Sequence, residues 1–360
     1  MQRSIASRIP VEPIMSEPTE RSLEGTVLVG RDLEPRAGRV VIENGAITAV
    51  EEIHDEGGRI ILPAPVNAHT HIGDSVAKDA GAGLDLDALV APPDGLKHRR
   101  LEAADRSGMI RAMRRTVRFM HRTGTGGFMD FRENGVPGVR ALRQALSDAN
   151  SEIECRIFGR GPASVLKEAD GYGASGAADA DFTEARAAAN AREKPFGIHA
   201  GEVSAADIDP ALDLDPDFLV HMIHASPAHL RSVGDREISV VVCPRTNLAT
   251  GVGRPPIREL LDRTNVALGT DNVMLTAPNL LREMDITARL FDVSDVEVLR
   301  MATIAGSDLL GVEWGAIQAG TPARLLVLDA TTDNLAGTED SIRAVVRRAE
   351  PSDIEAMILS

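Results

Sequence analysis

The apolar positions of this chain fall into two rhythms. Short runs near the start, SLEGTVLVG and GRVVIENGAITAVEE, read as strands joined by glycine-containing turns. Near the other end, GTPARLLVLDA and SIRAVVRRAEPSDIEAMIL have the same β texture. Between about residues 60 and 312, strand-like and helix-like stretches alternate. The strand candidates are RIILPAPVNAH, GGFMDF, IECRIFG, a weak DGYGAS, KPFGIHA, DFLVHMI, ISVVVCP and VALGTD, eight in all. The clearest intervening helix is DRSGMIRAMRRTVRFMHR. There Ile110, Met113, Val117 and Met120 form one apolar stripe, while Arg111, Arg114, Arg115 and Arg118 lie largely off it.

Eight strands alternating with helices predict an α/β chain with a (β/α)₈ TIM-type barrel over residues 60–314. An open doubly wound sheet is the alternative, but no GxGxxG follows a strand, and GTGG at 124–127 precedes one. Isolated hairpins are marginal, so residues 21–59 and 315–360 are expected to join in one small β-sandwich-like domain built from both termini. Residues 1–20 lack a continuous apolar segment and read as a disordered leader, with Met15 as an alternative start.

Composition narrows the class. At 360 residues the chain can bury a large core, and no apolar run approaches the roughly 18 residues of a membrane span. The formal charge of −15 argues against nucleic acid or an anionic membrane as partner, leaving a small-molecule substrate. Two cysteines, Cys155 and Cys243, are too few for a disulfide framework, so a reducing cytoplasm is expected. Lysine is scarce, with four residues (Lys78, Lys97, Lys167 and Lys194).

In a barrel, function gathers at the C-terminal ends of the strands. His69 and His71 end the first, and with a period of two both imidazoles point the same way. FGIHAGE ends the fifth with His199 and Glu202. LVHMIHAS ends the sixth with His221 and His224, and GTDN ends the eighth with Asp271 and Asn272. Each has a bland reading: a lone histidine is more often a hydrogen-bonded structural residue, and Asp-Asn suits an ordinary turn. His121, His224 and His229 are read as structural. GLKHRR, around His98, is read as a solvated basic turn in preference to a lid that grips substrate. An HxH, later histidines and an aspartate, all closing strands of one barrel, are hard to obtain by coincidence.

Three imidazoles and a carboxylate suit one borderline divalent ion per chain. Zn²⁺ is the first choice, and Fe²⁺ satisfies the same set. Such an ion lowers the pKa of its water and makes a hydroxide nucleophile. Asp271 can orient that water and take its proton, Glu202 can carry a proton to substrate, and His221 can polarise the group under attack. The assembly describes hydrolytic attack at an sp² carbon.

With these motifs in this order, the chain resembles the amidohydrolase superfamily, in the branch of cytosine-, guanine- and adenosine-type deaminases and triazine hydrolases. The resemblance spans nearly the whole chain, through PAPVNAHTHIGD, HAGE, LVHMIHA, CPRTN, GTDN and the closing LLGVEWGAIQAGTPARLLVLDA. It implies that His69, His71, His199 and Asp271 hold the metal, that Glu202 is the catalytic glutamate and that His221 is the strand-six histidine. It further implies a hydrolytic deaminase of an aminated N-heterocycle such as a purine, pyrimidine or pterin, with Asn247 and Asn272 in support and an oligomeric assembly. Arg132 and Glu133, in DFREN, either reach substrate or form a structural salt bridge. The alternatives are a cyclic-amide hydrolase of the dihydroorotase or hydantoinase kind, with two metals bridged by carboxylated Lys167, and a non-catalytic scaffold. SVLKEAD reads as helix, which places Lys167 before the fourth strand and not at its end.

Overall fold

The computed structural model describes residues 20–54, 57–81, 83–84, 86–90 and 94–359. The leader expected over residues 1–20 lies outside these, apart from Glu20. Two sheets organise the described residues. The first takes β1 (Glu20–Val29), β2 (Glu34–Glu43), β3 (Ala46–Glu52) and β4 (Arg59–Pro63) from one end of the chain. The second is built from β5 (Val66–His71), β6 (Gly127–Arg132), β7 (Glu154–Gly159), β8 (Gly171–Ala174), β9 (Phe196–Ala200), β10 (Phe218–His221), β11 (Ser239–Val242), β12 (Val266–Leu268) and β13 (Asp271–Asn272). β14 (Arg324–Asp329) and β15 (Ile354–Leu359) then return to the first, whose order is β15-β14-β4-β1-β2-β3. Its apolar layer includes Leu23, Val27, Val40, Ile42, Ile47, Ile61, Leu325 and Val327.

The parallel sheet is a TIM-type barrel. β5 to β12 pair in succession, and β12 and β13 are two pieces of the eighth stave, interrupted at Gly269 and Thr270. Closure comes from β13 pairing with β5, with Asp271 opposite Thr70 and Asn272 opposite His71. Asn67 tightens the same seam, donating to Thr270 Oγ1 at 2.7 Å and accepting from the Thr270 amide at 3.0 Å. Inside, Phe131, Phe158 and Phe218 pack ring to ring, with centroids 5.2–6.0 Å apart, and form an apolar floor beneath the mouth. That floor explains the weak pattern of the fourth strand. A Cβ on Gly173 would lie 2.7 Å from the Phe131 ring, and one on Gly197 of β9 would lie 2.2 Å from the Phe218 ring.

Helices cover the outside of the barrel. In Arg106–Arg122, Ile110, Met113, Val117 and Met120 are buried as the periodicity predicts, with Met109 beside them, and Asp105 caps the start by accepting from the Gly108 amide at 2.7 Å. Among the described residues no helix is long and apolar enough to cross a membrane.

Two expectations need correction. RIILPAPVNAH is not one strand: residues 59–63 pair with β1 and β14, and only Val66 onward enters the barrel. The sheets therefore part at Ala64–Pro65 and not at residue 60, because two prolines remove the amide donors a continuous ladder requires. Within SIRAVVRRAEPSDIEAMIL, Ser341–Arg347 is a helix capped by Asp340, which accepts from the Arg343 amide at 2.9 Å. Its short apolar run fits a buried helix as well as a strand.

Candidate metal centre

β5 delivers His69 and His71 to one side of its ribbon, and both are almost fully buried at the mouth of the barrel. β9 brings His199 beside them, and the eighth stave brings Asp271 across the closing seam. His69, His71 and His199 each place a ring nitrogen within 4.8 Å of the other two. His69 Nε2 lies 3.2 Å from His199 Nε2 and 3.4 Å from Asp271 Oδ1, and His71 Nε2 lies 3.5 Å from that same oxygen. Donors about 2.0–2.1 Å from one tetrahedral ion are about 3.3–3.4 Å from each other, which is this spacing.

The second ring nitrogens are consistent with that arrangement. His199 Nδ1 sits 2.8 Å from the Ala174 carbonyl, and His71 Nδ1 sits 2.9 Å from Glu133 Oε1 and 3.2 Å from the Phe131 carbonyl. An acceptor at Nδ1 fixes the proton there and leaves Nε2 bare. Burial pushes the histidines down, His71 to about 3 with the charge of Lys97 adding to the effect, so all three imidazoles are neutral near pH 7. Burial opposes ionisation of Asp271, but the His69 hydrogen bond and the adjacent imidazoles hold it well below the usual carboxylate range. Asp271 Oδ2 is buried with no hydrogen-bond partner. A neutral imidazole set around a carboxylate with an orphaned oxygen suits a divalent cation.

Glu202, His221 and Asp271 form a second group that shares Asp271 with the first, again with one donor atom from each within 4.8 Å of the others. Glu202 Oε2 and His221 Nε2 are 3.5 Å apart. Burial raises the Glu202 carboxyl despite the opposing charge of His221. His221 is fully buried with neither ring nitrogen hydrogen-bonded, and its backbone φ of +82° turns the chain sharply at the strand end. Such a conformation costs of order 1–3 kcal/mol and recurs at functional sites. These side chains line a cavity of about 280 Å³.

The expected site residues thus converge, and the remaining candidates separate. His224 is exposed, His121 contacts Ser151 and His229 closes a capping box with Ser226. Lys167 is exposed in a 3-10 turn ahead of β8, away from the cavity. Asn247 is buried and Asn272 donates to Asp271 Oδ1 at 3.0 Å. Arg132 is structural: fully buried, it donates to Glu133 Oε2 at 2.5 Å and packs over Gly73. Glu133 does not extend to the cavity; it holds His71.

The GLKHRR expectation is overturned. Its first half is not solvated, because Lys97, in helix Leu96–Ala103, is 3% exposed and lines the cavity. Arg160, directly after β7, lines it too. For Lys97 the sequence offers only the scarcity of lysine as a signal, which does not single out one of four.

Comparison with known proteins supplies the lineage. The amidohydrolase family model matches residues 60–353. A proposed aminohydrolase of Methanothermobacter thermautotrophicus is 35% identical, over 93% of this chain and 96% of that protein. The 5-methylthioadenosine/S-adenosylhomocysteine deaminase of Halobacterium salinarum is 27% identical, over 93% of this chain and 87% of its own length. In fold, the chain resembles a zinc-bound adenosine deaminase of Xanthomonas campestris, with a TM-score of 0.77 at 17% identity over 94% and 91% of the two chains. The ordered strand-end residues and these matches agree: the chain belongs to the amidohydrolase family.

Proposed function

We propose that this amidohydrolase is a hydrolytic deaminase of an aminated N-heterocycle, with adenine-type nucleosides as the leading substrates and one divalent ion per chain, Zn²⁺ by preference. The carrying observation is that ring nitrogens of His69, His71 and His199 and a carboxylate with an orphaned oxygen converge at the barrel mouth, beside a cavity-lining carboxyl, Glu202, that burial raises. The names of similar proteins, deaminases of 5-methylthioadenosine and of 5'-deoxyadenosine among them, direct the choice of ring. We take the six-stranded sheet as a small β domain beside the barrel.

His69, His71, His199 and Asp271 would hold the ion. When bound, it supplies the Lewis acidity that brings the pKa of an adjacent water toward neutrality. Asp271, ionised, accepts the proton that water gives up. Glu202, its carboxyl raised by burial, is the group that delivers a proton to the ring nitrogen. His221, with both ring nitrogens unpartnered, is placed to bond the attacked centre. The proton taken up by Asp271 then passes to the exocyclic amine, the C–N bond breaks and ammonia leaves, while Glu202 takes up the hydroxyl proton as the ring carbonyl forms. A cyclic-amide hydrolase with a lysine-bridged ion pair has little support, because Lys167 is exposed and Ala174 ends the fourth strand.

The test is ammonia release from a panel of adenine nucleosides, aminopurines, aminopyrimidines, pterins and triazines, with Zn²⁺- and Fe²⁺-loaded protein. Turnover of one ring class is expected. Stoichiometrically loaded protein that releases no ammonia from any member overturns the reading.

A further inference from the structure

Lys97 lines the cavity and is used by neither the metal set nor the proton carriers, yet its surroundings are highly specific. The side chain enters from helix Leu96–Ala103, outside the barrel strands, and is almost completely buried. Three oxygens from three different strand ends face its Nζ. Glu133 Oε1, after β6, is 2.8 Å away; Asn272 Oδ1, in β13, is 3.1 Å away; Asp74 Oδ2, just past β5, is at ion-pair distance, 3.4 Å. A buried ammonium is costly unless it is paired and hydrogen-bonded, and here both conditions are met.

Two of these partners lead directly to proposed metal ligands. The Glu133 oxygen that accepts from Lys97 is the one that accepts from His71 Nδ1. The Asn272 side chain accepts from Lys97 through its oxygen and donates through its nitrogen to Asp271 Oδ1 at 3.0 Å. One ammonium therefore fixes the orientation of the Asn272 amide, because only that orientation presents Nδ2 to Asp271. It also lies 2.8 Å from the Glu133 oxygen that faces His71 Nδ1. Arg132 contacts the other oxygen of Glu133, and Arg160 approaches Oε1 at 3.5 Å, farther than Lys97 or His71.

We infer that Lys97 is a positioning residue that sets His71 through Glu133 and Asp271 through Asn272, tying ligands from the first and eighth staves into one geometry. Its three oxygen neighbours leave it turned toward the protein and not toward a substrate anion. The inference rests on the metal-dependent reading above, and the test separates the two.

Lys97→Met and Lys97→Arg are compared with the unsubstituted protein for thermal midpoint, Zn²⁺ affinity by chelator competition, and kcat and KM for ammonia release. Second-sphere changes weaken metal affinity or activity by about 10–100-fold. Lys97→Met is expected to weaken Zn²⁺ binding by that much and to lower kcat at saturating ion. Lys97→Arg should lose less, since its fork keeps the charge without reaching all three oxygens. Should Lys97→Met fail to fold, Lys97→Arg decides: reduced affinity supports the inference, and unsubstituted values overturn it. A lowered midpoint with unchanged affinity and kcat overturns it as well, as does a rise in KM alone, which would make Lys97 a substrate contact. Unsubstituted protein that takes up no Zn²⁺ overturns the metal-dependent reading and this inference with it.

Discussion

His71 Nδ1 lies 2.9 Å from Glu133 Oε1, so the carboxylate that ends the second barrel strand decides which nitrogen of a first-strand histidine is bare. Against burial, the charges of Lys97 and Arg132 and the His71 hydrogen bond hold Glu133 well below the usual carboxylate range, and it remains an ionised acceptor. Glu133→Gln keeps an acceptor but removes the charge, and is expected to weaken Zn²⁺ binding about 10-fold, with up to 100-fold for Glu133→Ala. Chelator competition measures both; equal affinities in all three proteins would remove Glu133 from the metal site.

Glu202 sits three residues beyond His199, with Oε2 3.5 Å from His221 Nε2. Glu202→Gln should retain the ion and lower turnover by about 10²–10⁴-fold, the usual contribution of a general acid–base group. Metal content read beside ammonia release checks it. Loss of the ion with the activity would make Glu202 a ligand, contrary to its proposed role.

Asp271 has two duties in the proposed scheme, and a single change should expose both. Asp271→Ala is expected to lose ion retention during dialysis. Turnover should stay depressed even with excess Zn²⁺, since the proton acceptor is gone. Full recovery of rate in excess ion would restrict Asp271 to holding the metal.

Lys167, exposed ahead of β8, should have no part in the chemistry. Metal analysis is expected to give about one ion per chain, and Lys167→Ala should leave metal content and turnover unchanged. Two ions per chain, with one lost in Lys167→Ala, would favour the dinuclear scheme.

Glu283 offers a stability measurement at a group outside the proposed ligand set. It is fully buried with Oε1 accepting from the Arg245 amide at 2.8 Å, and burial pushes its carboxyl up to about 7 from an ordinary 4.5. Below about pH 4.5 it is protonated in both folded and unfolded chains and costs nothing. As pH rises toward 7 the unfolded chain releases the proton first, so the cost to folding grows and is complete above 7. Glu283→Gln should therefore gain on the unsubstituted protein by about 1–3 kcal/mol between pH 4.5 and 8. Denaturant titrations at the two pH values measure this, and a difference independent of pH would count against it.

Much of the site was legible because strand-end chemistry is local. Period-two alternation put His69 and His71 on one face, and short runs ending in FGIHA and GTD marked His199 and Asp271. The misreadings are also physical. The run over 59–71 is continuously apolar, so periodicity could not show that its first half pairs with β1 and β14. The apolar run at 341–347 fitted strand or helix equally, and the Asp340 cap was the discriminating signal. Lys97 sat among charged neighbours in GLKHRR, where a solvated turn is the commoner outcome.

The sequence by itself determined the residue types and the strand ends that carry them, because side-chain alternation and strand length depend on near neighbours. It could not determine that Lys97, 23 residues from Asp74, 36 from Glu133 and far from Asn272, meets all three. Those encounters follow from barrel closure, which sets β13 beside β5, and from the burial that makes an unpaired ammonium too costly to leave alone.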